Sequence, residues 1–132
     1  MKQERIDPGW AWTKKYGISP GVKVGDTVYL SGNSAFDNDG NIVGEGDVYA
    51  QSKKTFENIA EALASVGSSM RDIVKITTYL TDISSYPEFA KARREAFPEG
   101  VPASTAVSSP ELVIPTMLVE IEAIAVIGSG PD

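Results

Sequence analysis

The chain's 132 residues carry 12 Lys and Arg against 18 Asp and Glu, a net charge of −6, and 42% of them are apolar. That length and apolar content suit one folded domain with its own core and exclude a disordered chain; the acidic balance works against sequence-independent nucleic-acid binding, which needs a basic footprint. With no Cys and no His, thiol nucleophiles, disulfides, thiolate metal sites and the commonest general base are excluded, which leaves carboxylates, hydroxyls, Lys, Arg, backbone groups and bound water for any catalysis.

No apolar run is long enough to span a bilayer. Met1–Arg5 lacks the apolar core of a signal peptide, so the expected location is cytoplasmic, with no membrane partner. Residues 1–132 read as a single domain in which 1–15 form an N-terminal arm punctuated by Pro8-Gly9. Trp10 and Trp12 are two apart, so in an extended arm they share a side and pack on the domain edge or on a neighbouring chain. Ile18–Val24 and Thr27–Ser31 make a β-hairpin around Gly25-Asp26. Asp37-Asn38-Asp39-Gly40-Asn41 is a tight turn. It lacks the remaining spacing and the distal bidentate Glu of a calcium loop. A short strand at Ile42-Val43 follows.

Asp47 is the expected N-cap of a first helix over Val48–Val66, stopped by Gly67. Its apolar stripe runs through Val48, Ser52, Phe56, Ile59, Leu63 and Val66. Asp72–Thr81 reads as a strand with Val74, Ile76, Thr78 and Leu80 on one side and Lys75, Thr77 and Tyr79 on the other. Ser84 or Ser85 caps a second helix, Pro87 suits its first turn, and Pro98 ends it. Tyr86, Phe89, Ala90, Ala96 and Phe97 gather on one helical face, and Arg93 falls in the middle of it. A cation there must find a partner, snorkel to water or serve as an anion-binding group at a cleft.

Residues 101–126 hold two strand-like runs joined by a connection bearing Pro110 and Pro115. The second run, Thr116–Ile127, is rich in β-branched residues. Alternation puts Met117, Val119, Ile121, Ala123 and Ala125 on a purely apolar face. Leu118, Glu120, Glu122, Ile124 and Val126 take the other, with the two carboxylates roughly 7 Å apart. The resulting order, β-β-(β)-α-β-α-β-β, predicts an α+β fold with two helices on one face of a mixed sheet. The second sheet face keeps enough apolar surface to meet another subunit.

Five stretches together resemble the Rid (YjgF, L-PSP) family. They are VGDTVYLSGN at 24–33, Gln51 with Asn58-Ile59, DIVKITTYLTDI at 72–83, PAST at 102–105 and LVEIEAIAV at 118–126. The resemblance implies a chorismate-mutase-like domain that assembles as a homotrimeric barrel with small-molecule clefts between subunits. It also implies hydrolysis of reactive imines and enamines to carbonyl compounds and ammonia, with no metal or organic cofactor. By the family pattern Glu120 takes the catalytic role, Ser31 and Gly32 line the cleft, and Ala106 stands where some active members contribute a pocket Cys.

The sequence departs from that pattern at Ser104, where active members carry an Arg that clamps a substrate carboxylate. The family's usual Tyr aligns with Ile18, with Tyr16 displaced by two, and a second-helix Asn falls near Ala90 or Lys91. Losing one charge-assisted hydrogen bond, about 1.5–3 kcal/mol, weakens binding of an imino acid by about 10- to 150-fold. Three readings follow: hydrolysis of a different small imine, enamine or neutral carbonyl-like substrate; a non-catalytic metabolite-binding or regulatory trimer; or Arg93 or Arg94 supplying the missing charge. The endoribonuclease label also attached to the family fits poorly with a chain that lacks His and a basic excess.

Overall fold

The strand that alternates apolar and carboxylate residues, β6 (Val119–Val126), lies inside a six-stranded sheet. The computed structural model describes residues 1–131. In chain order the elements are β1 (Gln3–Arg5), α1 (Ala11–Tyr16), β2 (Gly21–Val24), β3 (Thr27–Asn33), α2 (Val48–Ala64), β4 (Ile73–Leu80), α3 (Tyr86–Ala96), β5 (Ala103–Ser108) and β6. The sheet order is β1-β2-β3-β6-β4-β5. Only β4 and β5 are parallel, and α3 supplies the crossover a parallel pair requires.

Met117, Val119, Ile121, Ala123 and Ala125 are all buried, as the alternation requires. Their face packs against α2 and α3 through one apolar cluster that includes Phe56, Ile59, Leu63 and Phe89. Phe56 stacks on Phe89 at 6.1 Å and meets Phe97 edge-on at 5.5 Å. Among the described residues no element covers the opposite sheet face. Tyr29, Val74 and Val107 stand exposed there, beside half-buried Leu118, Ile124 and Val126.

Asp47 caps α2 as expected, accepting from the Ala50 N–H at 2.9 Å. The helix stops at Ala64, and Gly67 at φ +75° lets the chain turn back. Two polar side chains of α2, Gln51 and Asn58, and one of the loop after β3, Ser34, link helix, loop and sheet. Gln51, fully buried, gives its amide N–H to the carbonyls of Thr116 (2.9 Å) and Gly44 (3.2 Å) and accepts from the Leu118 N–H at 2.9 Å. Asn58 donates to the carbonyls of Ser34 and Phe36, both at 3.0 Å. Ser34 donates through Oγ to the Val119 carbonyl at 2.7 Å.

Four local expectations change in the folded chain. In the N-terminal arm β1 pairs with β2, and Trp10 and Trp12 pack on the domain as expected but around the helix α1 rather than in an extended segment, stacked on each other at 5.4 Å. Trp12 also stacks on Phe36 at 4.0 Å, so aromatic burial overrides the extended reading. The hairpin begins at Gly21 rather than Ile18, because the Ile18 N–H instead closes α1 onto the Thr13 carbonyl. Val74 points to the open face, since an extra residue in β4 between the Ile73 and Lys75 pairings makes a bulge there and Ile73 takes the inward place.

The fourth change concerns α3. Ser85 holds the N-cap position but makes no side-chain cap. The helix buries Phe89 and Ala92, with Ala96 packed beside them. That rotates its inward direction so that Arg93 lies roughly 65° from the centre of the buried face, at its margin.

Gln51→Leu removes the side-chain partner that the Leu118 N–H and the Thr116 carbonyl share, while keeping the side chain's bulk. It is expected to lower unfolding stability by about 2–4 kcal/mol, measured by urea denaturation at fixed protein concentration. A loss below about 1 kcal/mol would show that β6 does not depend on this clamp.

Candidate functional site

β3 does not run evenly along β6. Leu30 pairs with Ala123 and Asn33 with Ile121, so Ser31 and Gly32 together face the single residue Glu122. This bulge bends β3 toward the neighbouring carboxylate. A Cβ placed on Gly32 would lie 2.8 Å from both Cδ and Oε2 of Glu120, so only glycine allows the approach. Ser31 donates through Oγ to the Ser19 carbonyl at 2.6 Å, which holds the bulge to the loop before β2.

Glu120 is half-buried and accepts no hydrogen bond from the described residues. Burial first, and the charge of neighbouring Glu122 second, push its carboxyl above the ordinary value. Glu122 sits one step along the same face and accepts from the Tyr79 hydroxyl at 3.0 Å. That bond, followed by the Glu122 charge, raises the Tyr79 phenol. Further down the face Lys75 donates to Thr105 Oγ1 at 2.6 Å. Lys75, Thr77, Tyr29 and Glu122 border a shallow open-face cavity.

Ser104 and Ala106 lie elsewhere. They pair with Ile76 and Thr78, on the helix-facing side of β5, whereas Ala103 and Thr105 share the open face with Lys75. Arg93 reaches Ser104 from α3. Its Nη1 donates to Ser104 Oγ at 3.0 Å and its Nη2 to the Tyr86 hydroxyl at 2.7 Å. The guanidinium carbon is 5.2 Å from the ring centres of both Tyr86 and Phe89.

The six candidate residues therefore fall into two groups within one chain. Ser31, Gly32 and Glu120 meet on the open face; Arg93 and Ser104 meet beside the sheet edge, with Ala106 two residues along. Glu120 pairs with Tyr79, which pairs with Val107. Ser104 is thus two strands over and three residues along, a diagonal of roughly 14 Å, on the opposite side of the sheet.

Sequence reasoning gave no site role to Tyr86 or Tyr79. Tyr86 and Arg93 are seven apart, two helical turns, a spacing that could have paired them. Tyr79 meets Glu122 only through the β4–β6 register, which the sequence does not state.

One sheet, covered by helices on one face and left open on the other among the described residues, with a carboxylate at a β-bulge, defines an α+β fold built around strand-borne polar groups. The family model described as endoribonuclease L-PSP matches residues 12–127. A RutC family protein of Pyrococcus abyssi is 35% identical over 107 residues, 81% of this chain and 84% of that protein. The mitochondrial protein mmf2 of Schizosaccharomyces pombe is 36% identical over 106 residues, covering 79% and 82%. Among solved structures, RidA from a Psychrobacter species is 37% identical, with a TM-score of 0.77 over 83% of this chain and 87% of that one. A YjgF/YER057c/UK114 family member from Mycobacterium tuberculosis is 28% identical, with a TM-score of 0.82 over 96% and 100%. The chain belongs to the L-PSP (Rid/YjgF) family. Among the described residues no helix is long and apolar enough to cross a membrane.

A carboxyl raised on folding prefers its proton in the native state. Below the unfolded value of about 4.3 both states hold the proton and Glu120 costs nothing. As pH rises through the folded value, the native state carries a disfavoured charge and stability falls. Glu120→Gln is therefore expected to raise the thermal midpoint at pH 7, with the gain vanishing near pH 4. An equal shift at both pH values would mean the carboxyl is not raised on folding.

Proposed function

We propose that this chain works as a homotrimer that hydrolyses a small reactive imine or enamine in clefts between subunits, giving a carbonyl compound and ammonia. One observation carries the reading. Glu120 holds a half-buried carboxyl with a raised pKa and no competing donor among the described residues, and the bare backbone of Gly32 lets it lie against the β3 bulge. Family membership supports the reaction class, and the uncovered sheet face, with Tyr29, Val74 and Val107 exposed, supports association through that face.

The chemistry asks little of the protein. A protonated imine carbon is already electrophilic, and water must be held against it. Glu120, ionised, takes a proton from that water as the C–O bond forms and the C=N π pair moves to nitrogen. It then returns the proton to nitrogen. The C–N bond breaks as its electron pair leaves with ammonia, and the hydroxyl gives its proton back to the Glu120 carboxylate to become the carbonyl. An enamine is first protonated on carbon, a step the same carboxyl can serve when it carries its proton. A carboxyl raised toward neutrality is better matched to both tasks than an ordinary one. The reaction needs no imidazole or thiol, in keeping with a chain that has neither.

The test generates 2-imino acids and simple aliphatic imines in place and follows their loss by trapping the remainder with semicarbazide. Wild-type protein is expected to accelerate loss of at least one class, and Glu120→Gln to reduce that turnover by about 100-fold or more. Gly32→Ala is expected to displace the carboxyl and lower turnover in the same direction. Sedimentation should give a trimer. Unchanged turnover in Glu120→Gln would remove Glu120 from the mechanism, and no turnover of any imine would leave ligand binding without catalysis.

A further inference from the structure

Two carboxylates and one phenol share the open sheet face, and the phenol serves only one of them. Tyr79 on β4 is the cross-strand partner of Glu120 on β6, and Thr77 is the partner of Glu122. The Tyr79 hydroxyl nevertheless donates to Glu122 Oε1, at 3.0 Å. The side chain therefore runs diagonally past the residue it faces to the next carboxylate, a reach that suits an aromatic side chain on a pleated sheet. Glu120 is left without a donor among the described residues.

No cation enters the arrangement. The ion pair found among the described residues joins Arg71 to Glu99, away from this face. Lys75, on the same face of β4, turns its ammonium to Thr105 Oγ1 on β5. From β3 the bulge presents Ser31 and Gly32 to this part of β6, neither of which titrates, and Tyr29 pairs further along with Ile124. The titratable groups that face Glu120 are thus Glu122 on its own strand and Tyr79 on the neighbouring one. The Tyr79 phenol is raised above its ordinary value, first by its bond to Glu122, so it keeps a proton to donate wherever the carboxyls titrate.

We propose that Tyr79 and Glu122 are positioning residues that place the proton of the carboxyl pair on Glu120. Two like charges at neighbouring positions of one strand face are costly together, so the pair holds on to one proton. A donated hydrogen bond favours the charged form of the carboxylate that accepts it. The bond from Tyr79 goes to Glu122, so the charge settles there and the mobile proton stays with Glu120. Environments that set two carboxyls apart in this way divide the acid from its ionised neighbour. The role rests on the hydrolysis reading, in which Glu120 gives and takes protons. Neither Tyr79 nor Glu122 needs to touch the substrate.

The test reads the proton directly and does not depend on turnover. The carboxyl carbon NMR signals of the glutamates in the intact protein are followed across their titration, and Glu120→Gln assigns the Glu120 signal by its loss. Tyr79→Phe is expected to lower the Glu120 midpoint, because Glu122 without its donor competes for the proton. Glu122→Gln is expected to lower it further, by about 0.5 or more on the pH scale, because the like charge is gone. The pH profile of kcat/KM for imine or enamine loss is expected to move to lower pH with the midpoint. Phe keeps the ring and its packing, so a Tyr79 that is merely structural would change the melting temperature and leave the Glu120 midpoint in place. A midpoint that stays in place in either variant overturns the proposal, whether or not the protein turns over imines. Lowered midpoints without turnover would keep the proton placement and remove the hydrolysis reading. Turnover that depends on Glu120 but keeps its pH profile in both variants would keep the hydrolysis reading and overturn this one.

Discussion

Strand β6 cannot slip. It is held on both sides, by β3 and by β4, and its alternation gives it one apolar face and one face with two carboxylates. A shift of one residue would turn Glu120 and Glu122 into the core and push Val119 and Ile121 out. Gln51 adds a second constraint at the strand's start, where one amide satisfies the Leu118 N–H and the Thr116 carbonyl together. Because a buried peptide group left unpaired costs about as much as a lost hydrogen bond, the clamp favours a single register.

From that register the rest of the polar face follows. With β6 fixed, the extra residue of β3 must be absorbed where Ser31 and Gly32 stand, and the bulge brings Gly32 against Glu120. The same strand sets Glu122 within reach of Tyr79. Glu120 is left without a donor, and burial together with its charged neighbour then acts on it unopposed. Its altered proton affinity is thus a consequence of pleat and pairing, before any ligand is considered.

The helix side obeys a different rule. Packing of Phe89 and Ala92 against the sheet decides how α3 is rotated, and that rotation carries Arg93 to the margin of the buried face. From there it reaches the edge strand and stacks over Tyr86 and Phe89. An arginine that a helical wheel places inside an apolar stripe is thereby delivered to Ser104 on the edge strand. Two polar centres result, on opposite sides of the sheet.

Much of this is legible in the residues themselves. Period-two alternation over Met117–Val126, the Asp47 cap and the Gly25-Asp26 turn depend on interactions within a few residues, so the sequence alone determined helices α2 and α3, the turn of the hairpin, the core face of β6 and the side on which its carboxylates emerge. The helical turn at α1 was missed because Trp12 stacks on Phe36, a partner more than twenty residues away, and Trp10 stacks on Trp12. Likewise the outward turn of Val74, the closeness of Gly32 to Glu120, the pairing of Tyr79 with Glu122 and the reach of Arg93 to Ser104 were decided only by the tertiary structure. Each joins elements whose relative register and rotation come from the packing of the whole sheet, and no local pattern of residues carries that information.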